Sequence, residues 1–196
     1  MTVWFTSDLH LGHENIIRYC DRPFSSVEEM DDEICRRWAE TVAEDDTVWV
    51  LGDVCLGDAI RGLVRVAELP GRKVLVPGNH DRIWDGNRMH PDLRKLWAGR
   101  YLSAFDEIIG GVGCAINLRG GVRVGLSHFP YDRDLRFRSR LDEWRPEDRG
   151  DWLLHGHAHG GLGPVHGRQI DVGVDCWDFT PVSWEQILGI IEGAGR

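Results

Sequence analysis

The chain has 196 residues, 42% hydrophobic and 28% charged, a balance that excludes a disordered polymer and a membrane-embedded one. Lys and Arg total 23 against 32 Asp and Glu, and the net charge of −9 argues against non-specific capture of a nucleic-acid backbone. No apolar run approaches the roughly 18–20 residues that span a bilayer. The opening Met1-Thr2-Val3-Trp4-Phe5 has no basic leader. Five scattered cysteines (Cys20, Cys35, Cys55, Cys114, Cys176) without a C-x-x-C pair suit a reducing cytoplasm, each reading as a small buried hydrophobe.

In chain order, Val3-Trp4-Phe5-Thr6 is a β-prone run ending at Ser7-Asp8. Ser25 and Ser26, followed by Glu28 and Glu29, make a capping-box start. Val27, Met30, Ile34, Trp38 and Val42 then recur at helical spacing. Thr47 to Leu51 is a second strand, ending at Gly52-Asp53. Ile60, Leu63, Val64 and Ala67 repeat the helical stripe before Pro70-Gly71. Lys73 to Val76 is a third strand, ending at Pro77-Gly78-Asn79-His80-Asp81. Strands this short and continuous predict burial on both faces.

The second half is richer in strands. Gly113–Leu118 and Val122–Leu126 flank Arg119-Gly120-Gly121, a hairpin signal. Trp152 to Leu154 and Ile170 to Val174 are further strands, and Ser183 to Gln186 opens a last helix. Trp4, Trp38 and Trp49 read as core. The pattern predicts one α/β domain over 1–196, with two packed sheets and helices outside. Residues 131–149 hold six arginines against six acids. They read as a solvated loop or short helix, or else as a lid whose arginines meet an anionic substrate.

Every strong polar motif stands at a strand end: Asp8-x-His10, Gly52-Asp53, Gly78-Asn79-His80-Asp81, Ser127-His128 and Gly156-His157-Ala158-His159. Loops beyond the carboxyl ends of parallel strands converge on one crevice. Carboxylates, imidazoles and an amide delivered there suit a borderline divalent metal. Gly52, Gly78 and Gly156 let the backbone turn beside a candidate ligand. His155 is expected to support its strand end, and His90 and His166 to lie on the surface. Asp81 is a candidate to orient His80, although adjacent residues often point apart. Asp175 and Trp177 read as core packing.

These blocks, in this order from Asp8 to His159, resemble the calcineurin-like metallophosphoesterase superfamily. The opening Asp-Leu-His-Leu-Gly-His-Glu-Asn and the later Gly-Val-Asp look like its small bacterial and phage members. The resemblance implies a four-layer fold, two mixed β-sheets packed as a sandwich flanked by helices. It implies two divalent metal ions, Mn²⁺ foremost with Fe, Ni, Co or Zn as alternatives. Asp8, His10, Asp53 and His159 would hold one. Asp53, Asn79, His128 and His157 would hold the other, with Asp53 bridging. His80 would face the substrate as general acid, and His13, Asn79 and Arg133 are candidate substrate contacts. His13 reads equally as a plain helix-start residue.

The implied activity is phosphodiester hydrolysis of small substrates, such as 2′,3′- or 3′,5′-cyclic nucleotides or other nucleotide-derived diesters. The implied step is in-line attack by a metal-bridging hydroxide, with His80 protonating the leaving oxygen. Pyrophosphate or monoester hydrolysis is the alternative within the fold; a catalytically weak scaffold is the alternative outside it. The segment Gly52-Asp53-Val54-Cys55-Leu56-Gly57-Asp58 departs from the Gly-Asp-x-x-Asp-Arg-Gly of Ser/Thr-protein phosphatases, which argues against that activity. A nuclease is disfavoured because the length leaves no room for an added DNA-binding domain. The expected partner is therefore a small phosphoester, not a membrane or a stably bound nucleic acid.

Overall fold

The apolar runs of the first half become parallel strands. The computed structural model describes residues 1–118, 120–132 and 141–194 and places these strands at β1 (Val3–Thr6), β2 (Thr47–Val50) and β3 (Arg72–Leu75). Between them lie α1 (Glu14–Tyr19), α2 (Val27–Thr41) and α3 (Ala59–Ala67). Then follow α4 (Pro91–Tyr101), β4 (Glu107–Ile108), β5 (Cys114–Asn117), β6 (Arg123–Leu126) and β7 (Trp152–His155). Last come β8 (Val165–His166), β9 (Gln169–Asp171), β10 (Val182–Ser183) and α5 (Trp184–Ala194). The strands make two sheets, ordered β10-β1-β2-β3-β4 and β5-β6-β7-β9-β8. Both are mixed: β10 runs antiparallel to β1, and β5 and β8 run antiparallel to their neighbours. This is the expected α/β architecture.

Period-two alternation assigns each strand residue to one of two cores. Val48, Val50 and Leu75 face a cluster shared with Ile34, Trp38, Leu63 and Tyr101 of α2, α3 and α4. Phe5, Leu51 and Val76 face the other way, onto Val124, Leu126, Leu154 and Ile170 of the second sheet. Trp184 and Ile187 of α5 join this inter-sheet core. The α2 cap is the expected one: Ser26 Oγ accepts from Glu29 N at 3.1 Å, and Glu29 Oε2 accepts from Ser25 N at 2.8 Å. Trp38 is fully buried and donates its indole N–H to Pro70 O at 3.0 Å.

Two expectations change and one element is added. The strand expected to reach Val174 stops at Asp171, and Val174–Cys176 is a 3-10 turn. Asp171 Oδ1 accepts from Gly173 N at 2.8 Å, a side-chain turn that ends the ladder. Helix α4 was not foreseen in the spacing. Only Cys55 is fully buried; the other four cysteines are half-buried, Cys20 because it closes the C-terminus of α1.

In the 131–149 segment, residues 133–140, Arg133 included, lie outside the described residues. Arg145 donates to Pro130 O at 3.1 Å and Asp132 O at 2.6 Å, and Trp144 packs on Trp84 with ring centroids 4.9 Å apart. No helix among the described residues is long and apolar enough to cross a membrane.

The two sheets meet at the carboxyl ends of their strands. Ser7 pairs in parallel with Gly173, and Val174 N donates to Ser7 O at 3.1 Å. That seam is where the polar motifs lie.

Candidate metal centre

Five of the sequence-predicted ligands adopt left-handed backbone: Asp8 (φ 56°), His10 (51°), Asp53 (54°), His157 (68°) and His159 (47°). Such conformations are uncommon for residues with a Cβ, cost of order 1–3 kcal/mol each, and concentrate at functional sites. Backbone hydrogen bonds to the loop after β2 hold the first two. Asp8 N donates to Gly52 O and His10 N to Asp53 O, both at 3.0 Å. Close approach requires glycine beside them: a Cβ at Gly78 would stand 2.3 Å from Asp53 Oδ1, and one at Gly156 only 2.0 Å from Ser7 Oγ.

Asp8 and Asp53 each have one oxygen fixed by a backbone N–H. Asp8 Oδ2 accepts from His157 N at 2.9 Å, while Oδ1 has no partner. Asp53 Oδ1 accepts from His80 N at 2.9 Å. Its Oδ2 stands 3.5 Å from both His10 Nε2 and His128 Nε2, and 3.9 Å from His80 Nε2. Donors bound about 2.1 Å from a common ion lie about 3.0–3.4 Å apart, close to the spacing of Asp53 Oδ2 from each imidazole. The donor atoms of Asp8, His10 and His159 lie within 4.8 Å of one another, as do those of Asp8, Asp53 and His128.

The chemistry of the set fits divalent cations. Four buried side-chain atoms among the described residues have no hydrogen-bond partner; beside Thr6 Oγ1 they are Asp8 Oδ1, His10 Nε2 and His157 Nε2, a costly arrangement for the site unless a ligand completes it. His128 Nδ1 lies 2.7 Å from the Leu51 carbonyl, to which it must donate when neutral. Its Nε2 lone pair then faces Asn79 Oδ1 at 3.1 Å, two acceptors that a cation would reconcile. Burial pushes the pKa of His10 well down, lowers that of His128, and takes His157 to about 3, so all three present lone pairs at neutral pH. Burial opposes charge on His159 as well, but the Asp8 carboxylate and the bond to Asp175 carry it up to about 11.

The supporting shell is where sequence reasoning fell short. Asp175, read as core packing, accepts from His159 Nδ1 at 2.8 Å and pairs with Arg22, a residue not singled out. Asp81 does not orient His80. It is fully buried and accepts from Asp53 N, Gly78 N, Val54 N and Tyr101 Oη at 2.8–3.1 Å, tying the second and third strand-end loops together. His155 Nδ1 bonds Gly156 O at 2.8 Å, the expected support. His13 Nδ1 lies 3.3 Å from His10 Nδ1, leaving His10 Nε2 for the centre. His90 and His166 are exposed.

Two mixed sheets that deliver Asp and His donors to one strand-end seam define a metal-dependent phosphoester hydrolase. The chain belongs to the calcineurin-like phosphoesterase family, whose sequence model matches residues 1–161. It is similar to the Gene 66 protein of Mycobacterium phage L5, at 39% identity over 96% of this chain and 93% of that one. The Gene 66 protein of Mycobacterium phage D29 is 38% identical over 97% and 98%. A protein of unknown function from Aquifex aeolicus has a crystal structure that superposes with a TM-score of 0.69, at 25% identity over 96% of this chain and 98% of that one.

Proposed function

We propose that this hydrolase is a two-metal phosphodiesterase of small substrates, with cyclic nucleotides and other nucleotide-derived diesters as the class. One cation is held by Asp8, His10, Asp53 and His159, and the other by Asp53, Asn79, His128 and His157. Mn²⁺ suits this mixed nitrogen and oxygen set. When bound, the pair supplies a nucleophile at neutral pH and positive charge for the phosphoryl oxygens.

The observation that carries the reading is the contrast between His80 and its neighbours. The His80 side chain is 43% exposed, whereas those of His10 and His128 are 1% exposed. Its backbone N–H is fixed to Asp53, while its ring stands on the solvent side of that carboxylate. A ring so placed meets an arriving ester and hands a proton to the departing oxygen, a contribution of about 10²–10⁴-fold. Charge supports a diester over a monoester. Arg22 and Arg145 lie near the cluster, but their guanidiniums are spent on protein acceptors. With these contacts made, the cations are the main positive charge that this part of the described residues offers a substrate, and a monoanionic diester matches that modest excess better than a dianionic monoester.

The test is a substrate panel on chelated and Mn²⁺-reconstituted protein: 2′,3′- and 3′,5′-cyclic nucleotides, linear dinucleotides, nucleoside monophosphates and dinucleoside polyphosphates. The highest kcat/KM is expected on a small diester, and only with metal. Preference for monoesters or pyrophosphates overturns the diester reading, and no turnover on any member favours a scaffold.

A further inference from the structure

The Arg22 side chain is buried, and all five of its N–H donors are used. Nε reaches Asp175 Oδ1 at 2.8 Å, and Nη2 reaches Asp175 Oδ2 at 2.9 Å and Asp8 O at 2.7 Å. Nη1 reaches Leu9 O at 3.2 Å and Met30 Sδ at 3.4 Å. The paired carboxylate continues the chain of contacts: Asp175 Oδ2 also accepts from His159 Nδ1 at 2.8 Å. On the other side of that ring, His159 Nε2 lies 4.0 Å from Asp8 Oδ1, the orphaned carboxylate oxygen. One guanidinium thus spans the backbone of the Asp8 loop and the carboxylate that orients His159.

We infer that Arg22 and Asp175 are positioning residues for the cation that Asp8 and His159 would hold, an inference that rests on reading those two side chains as metal donors. Asp175 holds the proton on His159 Nδ1, so Nε2, turned toward Asp8, is the nitrogen that would exchange its proton for a cation. Arg22 neutralises Asp175, so this carboxylate holds the imidazole without competing for the cation. The same guanidinium braces the carbonyl of Asp8, whose left-handed backbone needs external support. The planar fork matters here: a lysine ammonium cannot reach both Asp175 oxygens and two carbonyls at once. Asp175 and Arg22 stand 153 residues apart, and the pair forms because the turn after β9 closes against the segment after α1.

The experiment titrates Mn²⁺ alone into chelated protein by calorimetry, comparing wild type with Asp175→Asn, Arg22→Lys and His159→Ala. In Asp175→Asn the amide satisfies Arg22 only through its oxygen, so its NH₂ faces His159 and favours the wrong tautomer. One of two Mn²⁺ sites should weaken by about 10–100-fold while the other holds. Arg22→Lys should weaken the same site. If His159→Ala loses that site but Asp175→Asn keeps both affinities within about twofold, the positioning role is wrong. If His159→Ala itself keeps both sites, the donor assignment beneath it is wrong instead. Should the variants fail to fold, long-range ¹H–¹⁵N spectra of Zn²⁺-loaded wild type decide. A proton on His159 Nδ1 is expected, and metal on Nδ1 overturns the inference.

Discussion

Gly78→Ala should dismantle the centre with a single methyl group. A Cβ at Gly78 would lie 2.3 Å from Asp53 Oδ1, 2.6 Å from Asp53 N and 2.7 Å from His128 Cε1. Ordinary contact begins at 3.4 Å, so Asp53 and His128 must both withdraw by roughly 1 Å. They cannot do so freely. Asp81 Oδ2 binds Asp53 N at 2.9 Å and Gly78 N at 2.8 Å, so the two loops share one anchor. A misplacement of about 1 Å at a reacting centre costs about 10²-fold, and overpacking costs about 1–3 kcal/mol of stability. Gly99→Ala on α4 is the control, because nothing lies within 4 Å of its Cβ. That change should stabilise by about 0.5–1 kcal/mol and leave turnover alone. The assay combines urea denaturation, metal content after dialysis against Mn²⁺, and kcat on bis(p-nitrophenyl) phosphate. Wild-type metal content and turnover in Gly78→Ala would refute the reasoning.

Three further outcomes are expected. His80→Ala should lose about 10²–10⁴-fold on alkyl or ribosyl diesters but much less on nitrophenyl esters, whose leaving group needs no proton; equal losses point to a binding role. Asp46 accepts from Thr2 N, Trp4 Nε1 and Ala43 N, bonds that hold its carboxyl below the usual range, the Thr2 bond most of all. Its contribution is therefore complete above the ordinary carboxylate pKa of about 3.9 and fades as pH falls through the lower folded value. Asp46→Asn should flatten the acid limb of stability against pH in urea melts between about pH 5 and 3, and an unchanged limb contradicts this. KM for a small diester should move only modestly between low and physiological salt, whereas a steep slope would indicate several phosphate contacts and a nucleic-acid substrate.

Strand and site were legible in different ways. β1, β2, β3 and the stripe of α2 are local signals, four to fifteen residues long, which the fold preserves. Helix α4 hid because Leu93 and Leu96 are half-exposed and only Tyr101 is fully buried, so no apolar stripe marks it. Its start carried a weaker signal, Pro91 at the first position with His90 as cap. The candidate donors were visible as strand-end motifs, since parallel strands must deliver their loops to one edge. Asp175 and Arg22 were not. Each makes sense only beside the other, and their meeting depends on the seam between the sheets. The Gly-Val-Asp motif was the one available hint. Asp81 sits beside His80 in sequence, yet its side chain turns inward to backbone N–H groups that only the paired loops create.

The central claim is that Asp53 joins two cations in one site. Titration of Mn²⁺ into chelated protein, with metal content measured after gel filtration, tests it most directly. Wild type should hold two ions per chain. Asp53→Asn keeps the acceptor for His80 N but loses the charge between His10 and His128, and both ions should weaken together by at least about 10-fold. One ion in wild type, or two ions held undiminished by Asp53→Asn, would contradict the account.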